Sequence, residues 1–179
     1  DQHRNQFTIS FWAKPPGTAV EGASPFGGET NGVAIPGASS TNLGFYVYMR
    51  THPSIRKWSV SLYGTDRLID AYTLGQWQLV TLTASNGALY GSVNDLPRRS
   101  LGACSDFVLP KPPVLGMRNG SGHGFSGAVD EFRLARAVRA ETWVQTEYRN
   151  LAQASFVRFG TVTAGNDTDG SGLPDAWEL

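Results

Sequence analysis

The prediction of the fold begins with residues 125–134, FSGAVDEFRL. It is typical of a β-strand, in which successive side chains point to opposite faces of a sheet. This alternation predicts that Asp130 and Glu131 face opposite ways. Because neither face is cleanly apolar, the strand is also expected to lie centrally in its sheet, with loops meeting its ends.

A short amphipathic helix is predicted after this strand, over about residues 140–151. Val144, Tyr148 and Leu151 fall at i, i+4 and i+7, so their side chains share one face. The chain before residue 125 is typical of strands and loops. The helix therefore does not change an all-β interpretation.

Alternating strands occupy most of the preceding chain. Residues 7–14, FTISFWAK, alternate strictly, and residues 43–50, 56–63 and 76–84 have similar patterns. Asn86-Gly87 follows the last of these and predicts a type I′ hairpin, because both residues tolerate positive φ. About nine or ten short strands at this spacing indicate a β-sandwich or a barrel.

Composition limits the class of protein. A chain of 179 residues fits one domain, and 21 Gly, 10 Pro and only 17% charged residues suit a turn-rich β-protein. Lys+Arg and Asp+Glu balance at 15 each, which argues against nucleic acid as a partner. The apolar runs are far shorter than the roughly 20 residues of a membrane span. The single Cys104 excludes an internal disulfide.

Three segments carry a family resemblance. They are FTISFW at 7–12, WQLV at 77–80 leading through Asn86-Gly87 to LYGSV at 89–93, and GAVDEFRL at 127–134. In this order they resemble LamG-like jelly-roll domains of the concanavalin A-like lectin/glucanase superfamily. The family often has Asp-Gly after the LYGSV-type strand, whereas this chain has Asn94-Asp95-Leu96.

The resemblance implies a fold and a type of function. The expected fold is all-β, a two-sheet antiparallel sandwich over residues 1–163 with one short helix near its C-terminal end. The expected function is extracellular binding or adhesion, through carbohydrate or protein, by a module of a larger secreted or bacterial surface protein, without catalysis. Fold likeness alone does not establish an activity.

Residues 164–179 are predicted to form a linker with an acidic loop, DTDGSGLPDAWE, at 167–178. Oxygen-bearing side chains at loop positions 1, 3, 5, 9 and 12, with glycine at position 6, match a calcium loop. The expected ligands of a calcium cofactor are Asp167, Asp169, Ser171, the carbonyl of Leu173, Asp175 and Glu178. The loop also resembles aspartate-rich repeats of thrombospondins and secreted bacterial proteins. The alternative is a flexible acidic linker that binds no metal.

Asp130 and Glu131 raise the alternative of a glycoside hydrolase. A retaining pair of carboxyl groups must lie about 5 Å apart across one cleft, whereas neighbouring strand residues point to opposite faces. The sequence therefore predicts structural roles, in which Asp130 accepts hydrogen bonds from nearby amides and Glu131 pairs with an arginine.

Outward-facing aromatic residues are the candidate ligand contacts. Trp12, Tyr46, Tyr48 and Tyr63 each alternate away from apolar neighbours and could form a face on which sugars stack. The alternative is that loops or another chain cover them. A self-assembling subunit of an extracellular filament or layer, with the chain as a homo-oligomer or polymer, is therefore a second hypothesis of function.

Overall fold

The computed structural model describes residues 6–31, 42–51, 55–62, 65–104, 114–118, 123–153, 155–156 and 168. In this part of the chain, ten strands form two five-stranded antiparallel sheets, which confirms the predicted all-β sandwich with one helix. The bounds of the elements are β1 Phe7–Lys14, β2 Phe26–Asn31, β3 Asn42–Arg50, β4 Lys57–Leu62, β5 Thr65–Ala71, β6 Gln78–Ser85, β7 Ala88–Val93, β8 Arg99–Ala103, β9 Val114–Leu115, β10 Ala128–Ala135 and α1 Glu141–Ala152.

The first sheet has the strand order β10-β1-β6-β7-β8, and the second has the order β5-β4-β3-β2-β9. Their inner faces enclose one apolar core. Phe11 of β1, Phe45 of β3 and Trp58 of β4 are fully buried there. The alternation of β1, β3 and β4 predicts which side chains point inward, and the core confirms it.

The predicted hairpin joins β6 to β7. Asn86 and Gly87 have φ values of 50° and 74°, as a type I′ turn requires. In the flanking strands Ala84 pairs with Leu89 and Leu82 pairs with Gly91. The turn therefore fixes the register that places Leu82 and Leu89 in the core.

Two strands of the structure are not predicted from the sequence. β2 (FGGETN) and β8 (RSLGA) carry glycine and polar residues, so neither shows an apolar alternation. Predicted strands over residues 105–109 and most of 155–162 lie outside the described residues, as does the expected domain boundary at residue 163.

The sequence predicts that β10 lies centrally in its sheet, and this prediction is wrong. Among the described strands it pairs only with β1, so it forms an edge of the first sheet. Its mixed faces suit this place, because charged side chains protect an edge strand from pairing with other chains.

Candidate functional site

The helix α1 packs on the outer face of the first sheet. Trp12 and Leu79 project from that face and form a small apolar cluster with Val144 of α1, against which Tyr148 packs. The rings of Trp12 and Tyr148 are stacked, with centroids 5.7 Å apart and an interplanar angle of 18°. This packing explains why both faces of β1 are buried, although only one is apolar.

The helix confirms the sequence prediction within about one residue at each end. Of its expected apolar stripe, Val144 is buried and Tyr148 stacks on Trp12, whereas Leu151 is exposed. Leu151 and Ala152, at the C-terminal end of α1, are therefore left exposed beside the sheet.

A β-bulge interrupts the pairing of β1 with β10. Trp12 pairs with Asp130 and Ser10 pairs with Arg133, so two residues of β10 oppose Phe11 alone. Glu131, within the bulge, has a φ of 51°, which is rare for a residue other than glycine. Bulges change the direction in which side chains point and occur often next to functional sites.

The bulge overturns the expectation that Asp130 and Glu131 face opposite ways. Phe132, next along β10, packs against the core and stacks on Phe11 with centroids 6.1 Å apart. Asp130 and Glu131 instead both line one cleft on the outer side of the sheet. Period-two alternation failed here because it assumes a regular pairing of the two strands.

This cleft, called the aromatic cleft below, lies between β1, β10, the segment before β6 and the C-terminal half of α1. Its volume is about 560 Å³. The ring of Trp77 is 43% exposed, unlike the buried ring of Trp12. The lining residues are Trp12, Gln76, Trp77, Asp130, Glu131, Tyr148, Leu151 and Ala152.

The two carboxylates of the cleft are held by local contacts. The Asp130 carboxylate accepts a hydrogen bond from the backbone N–H of Glu131 at 2.8 Å. Glu131 forms an ion pair with Arg133, with 2.5 Å between Oε2 and Nη2. The expected pairing of Glu131 with an arginine is thus confirmed, and both side chains remain exposed beside the aromatic rings.

Arg133 also pairs with Glu147 of α1, through Nη1 and Oε1. The Glu147 side chain is only 7% exposed. Burial raises the pKa of its carboxyl above the ordinary value, while the charge of Arg133 opposes the shift. Arg133 therefore ties the edge strand to the helix.

The indole N–H of Trp12 is buried and has no hydrogen-bond partner among the described residues. A cleft that combines aromatic rings with exposed carboxylates suits a ligand that has both apolar and polar faces. A sugar has this character, since its C–H face stacks on aromatic rings and its hydroxyls bond to carboxylates and amides.

The predicted contacts Trp12, Tyr46 and Tyr48 do not form a single site. Trp12 lies on the outer face of the first sheet, whereas both tyrosines lie on β3 of the second sheet, with ring centroids 5.2 Å apart. Both tyrosines are buried. Tyr63 lies outside the described residues. Ligand contact by these three tyrosines stays a prediction.

Charged groups surround the tyrosine pair. The guanidinium of Arg118 lies over the Tyr46 ring, 4.0 Å from its centroid. Arg50 donates a hydrogen bond to the Tyr48 hydroxyl at 3.0 Å and pairs with Asp66 at 2.8 Å. Burial raises the pKa of Tyr48 to about 12, so this hydroxyl remains protonated at neutral pH.

Sequence reasoning missed Trp77, Gln76 and Tyr148 as site residues. In the sequence, Trp77 marks the start of a strand and belongs to the family resemblance, and Tyr148 belongs to the helix stripe. A tryptophan just before a strand, outside its apolar alternation, is the available signal. Only the structure shows that Tyr148 stacks on Trp12 and that Gln76 and Trp77 line the same cleft.

The expected calcium ligands lie outside the described residues, so the calcium loop stays a prediction. They are Asp167, Asp169, Ser171, Leu173, Asp175 and Glu178. Within the described residues, no group of three or more His, Cys, Asp or Glu side chains could hold a metal ion. The helix of the described chain is too short and too polar to span a membrane.

Comparison with solved structures finds the same architecture in sugar-binding proteins. Domain 4 of AbnA, an extracellular arabinanase of Geobacillus stearothermophilus solved with arabinotriose, has a TM-score of 0.57 at 18% identity, covering 80% of this chain and 66% of that one. The CBM40 of a Ruminococcus gnavus sialidase, bound to α2,3-sialyllactose, has a TM-score of 0.57 at 20% identity, covering 80% and 83%.

A Trypanosoma rangeli sialidase in complex with the inhibitor DANA has a TM-score of 0.59 at 15% identity. The match covers 88% of this chain but only 24% of the sialidase chain. At such identities these likenesses concern the fold alone. No curated protein sequence matches the chain.

A family model gives the assignment at the level of sequence. It matches residues 1–145, which include the ten described strands and the start of the helix. The match therefore covers the whole described sandwich. The chain belongs to the concanavalin A-like lectin/glucanases superfamily.

Proposed function

We propose that this chain is a non-catalytic carbohydrate-binding module and that the aromatic cleft is its binding site. The observation that carries the proposal is the exposed ring of Trp77, in one cleft with the carboxylates of Asp130 and Glu131. An exposed tryptophan supplies a rigid apolar face at little entropic cost, and the carboxylates accept hydrogen bonds from sugar hydroxyls. Structural neighbours solved with bound oligosaccharides support the proposal.

The residues of the cleft have different roles in this proposal. Trp12 and Tyr148 form a stacked, buried base that holds α1 on the sheet. Trp77, at the rim, stacks on the sugar ring. The ion pair with Arg133 holds Glu131 in one orientation, so less side-chain entropy is lost when the sugar binds.

We also propose where the module acts and what it is attached to. An extracellular location, attachment to a larger secreted or surface protein and the calcium loop at 167–178 fit a binding module of this superfamily. The chain spans 66% of the arabinanase domain and 24% of the sialidase that it matches, so the activity of any larger parent protein is a separate proposal.

A glycan array probed with the wild-type chain tests the function. Binding of at least one class of oligosaccharide is expected, and Trp77→Ala is expected to weaken it by about tenfold or more, since stacking contributes about 0.5–1.5 kcal/mol beyond the apolar area that it buries. Phe156→Ala is the matched control, because Phe156 is 40% exposed and does not line this cleft. Loss of binding in Tyr48→Ala but not in Trp77→Ala would place the site on the second sheet.

A glycoside hydrolase is the second candidate, because the bulge brings Asp130 and Glu131 into one cleft. The contact of Glu131 with Arg133 favours a structural carboxylate over a catalytic one. Incubation with the oligosaccharides that bind, followed by chromatography, separates the two candidates. Sugar release that Glu131→Gln abolishes would show an enzyme.

A further inference from the structure

A second cavity, called the arginine cavity below, lies on the same outer face of the first sheet. Its volume is about 240 Å³. Like the aromatic cleft, it is bounded by β1, β10 and α1, but it lies at the N-terminal end of the helix. The lining residues are Thr8, Ser10, Arg133, Leu134, Ala135, Arg139 and Trp143.

The two cavities are neighbours along one row of side chains. Thr8, Ser10 and Trp12 alternate on the outer face of β1, and the first two line the arginine cavity while Trp12 lines the aromatic cleft. Residues two apart on a strand are separated by about 7 Å. The Glu131–Arg133 ion pair joins the cavities, because Glu131 lines one and Arg133 lines the other.

Arg139 supplies a guanidinium at the arginine cavity that remains open to a ligand. Arg133 is already held by two carboxylates, those of Glu131 and Glu147. In the described part of the chain, by contrast, Arg139 has no ion pair with a carboxylate, and its guanidinium lies over the Trp143 ring at 4.9 Å from the centroid. A guanidinium with free N–H groups beside a cavity favours a carboxylate or sulfate, which accepts two parallel hydrogen bonds.

The backbone around Arg139 is fixed, although its side chain is exposed. Its N–H donates a hydrogen bond to the Thr8 hydroxyl at 2.9 Å, and that hydroxyl donates to the carbonyl of Ala137 at 2.8 Å. Both bonds tie the segment between β10 and α1 to β1. Stacking on Trp143 further limits the guanidinium, so the donor groups are held in place before a ligand arrives.

We infer that the module recognises an acidic oligosaccharide, with the carboxylate or sulfate of one sugar unit bound by Arg139 in the arginine cavity and the ring of the neighbouring unit on Trp77. This inference rests on the proposed function and names its ligand class. A neutral chain can fill the aromatic cleft, but it leaves the guanidinium of Arg139 without an anionic partner.

Matched pairs of glycans test the inference by isothermal titration. The pairs are sialyllactose with its methyl ester, trigalacturonate with its methyl ester, and a carrageenan oligosaccharide before and after desulfation. The acidic member of at least one pair is expected to bind about tenfold or more tightly than its neutral partner, as a charge-assisted hydrogen bond predicts. Comparison of the pairs distinguishes a carboxylate from a sulfate.

Arg139→Ala is expected to remove most of this preference and to leave the affinity for the neutral partner within about twofold. Arg136→Ala is the control, because Arg136 is exposed, carries the same charge three residues away and lines neither cavity. Trp77→Ala is expected to weaken acidic and neutral partners alike. A thermal melt of each variant checks that the fold is retained.

The outcomes separate the two proposals. Equal binding of acidic and neutral partners, or equal effects of Arg139→Ala and Arg136→Ala, overturns the acidic preference while carbohydrate binding stands. Binding of no glycan by the wild-type chain overturns both.

Discussion

Asp130 lies directly opposite Trp12 in the pairing of β1 with β10, and the bulge begins at the next residue of β10. This relationship brings a carboxylate beside the stacked rings of Trp12 and Tyr148. The bulge also turns Glu131 toward the same cleft. The site thus depends on one irregular pairing at the edge of the first sheet.

The positive φ of Glu131 predicts which substitutions the bulge tolerates. Glu131→Val is expected to be less stable than Glu131→Gly by about 1–3 kcal/mol, because a β-branched residue is strained at a φ of 51°. Both variants lose the ion pair with Arg133, so their difference isolates the backbone. Urea unfolding measures it, and equal stabilities would show that the bulge relaxes freely.

Gly127, just before β10, is needed for a close approach of two backbones. A Cβ at this position would lie 2.1 Å from the carbonyl oxygen of Lys14. Gly127→Ala is therefore expected to lower the free energy of unfolding by about 1–3 kcal/mol or more. Gly124→Ala is the control, since its Cβ would meet no atom within 4 Å. Similar melting temperatures for the two variants would contradict this packing.

The strands that can be predicted from the sequence are those in which apolar and polar residues alternate. β1 alternates strictly because one of its faces packs in the core, and β6 alternates over most of its length. Asn86-Gly87 places β7 beside β6. β2 and β8 carry no such pattern. The bulge also gave no signal, because the residue with positive φ is Glu131 rather than a glycine.

The site was less predictable than the fold. Trp12 was found because it alternates out of an apolar set. Tyr148 became a site residue only through the packing of α1 against β1, a long-range contact that local patterns do not contain. Trp77 became one because the segment before β6 lines the same cleft. The tyrosines of β3 follow the same alternation as Trp12 but lie on the other sheet.

The buried carboxyl of Glu147 predicts a pH dependence of stability. Burial raises its pKa in the folded chain, so the unfolded chain releases this proton at lower pH. Stability is therefore lost as pH rises from the unfolded value of about 4.3 through the folded one. Glu147→Gln is expected to lack this loss. Urea unfolding at several pH values should therefore show that the free energy of unfolding of the variant rises relative to that of the wild type as the pH increases. Parallel pH profiles would contradict it.

The calcium loop predicts a metal-dependent stability. Titration of the chain with calcium chloride is expected to release or absorb heat, and calcium at 100 times its Kd should stabilise the folded state by about 2.7 kcal/mol if loop and sandwich unfold together. Asp167→Asn and Glu178→Gln should weaken the binding. A titration without heat, together with a melting temperature unchanged by a chelator, would show that the loop binds no calcium in this chain.

The central claim is that a sugar binds in the aromatic cleft, and the indole N–H signals in a nitrogen-15 NMR titration test it most directly. The oligosaccharide with the highest affinity on the array is the ligand. The signals of Trp12 and Trp77 are expected to shift, while that of Trp58, buried in the core with its N–H 3.4 Å from Gln78, stays in place. Binding that leaves the Trp12 and Trp77 signals unmoved would contradict the assignment of the site.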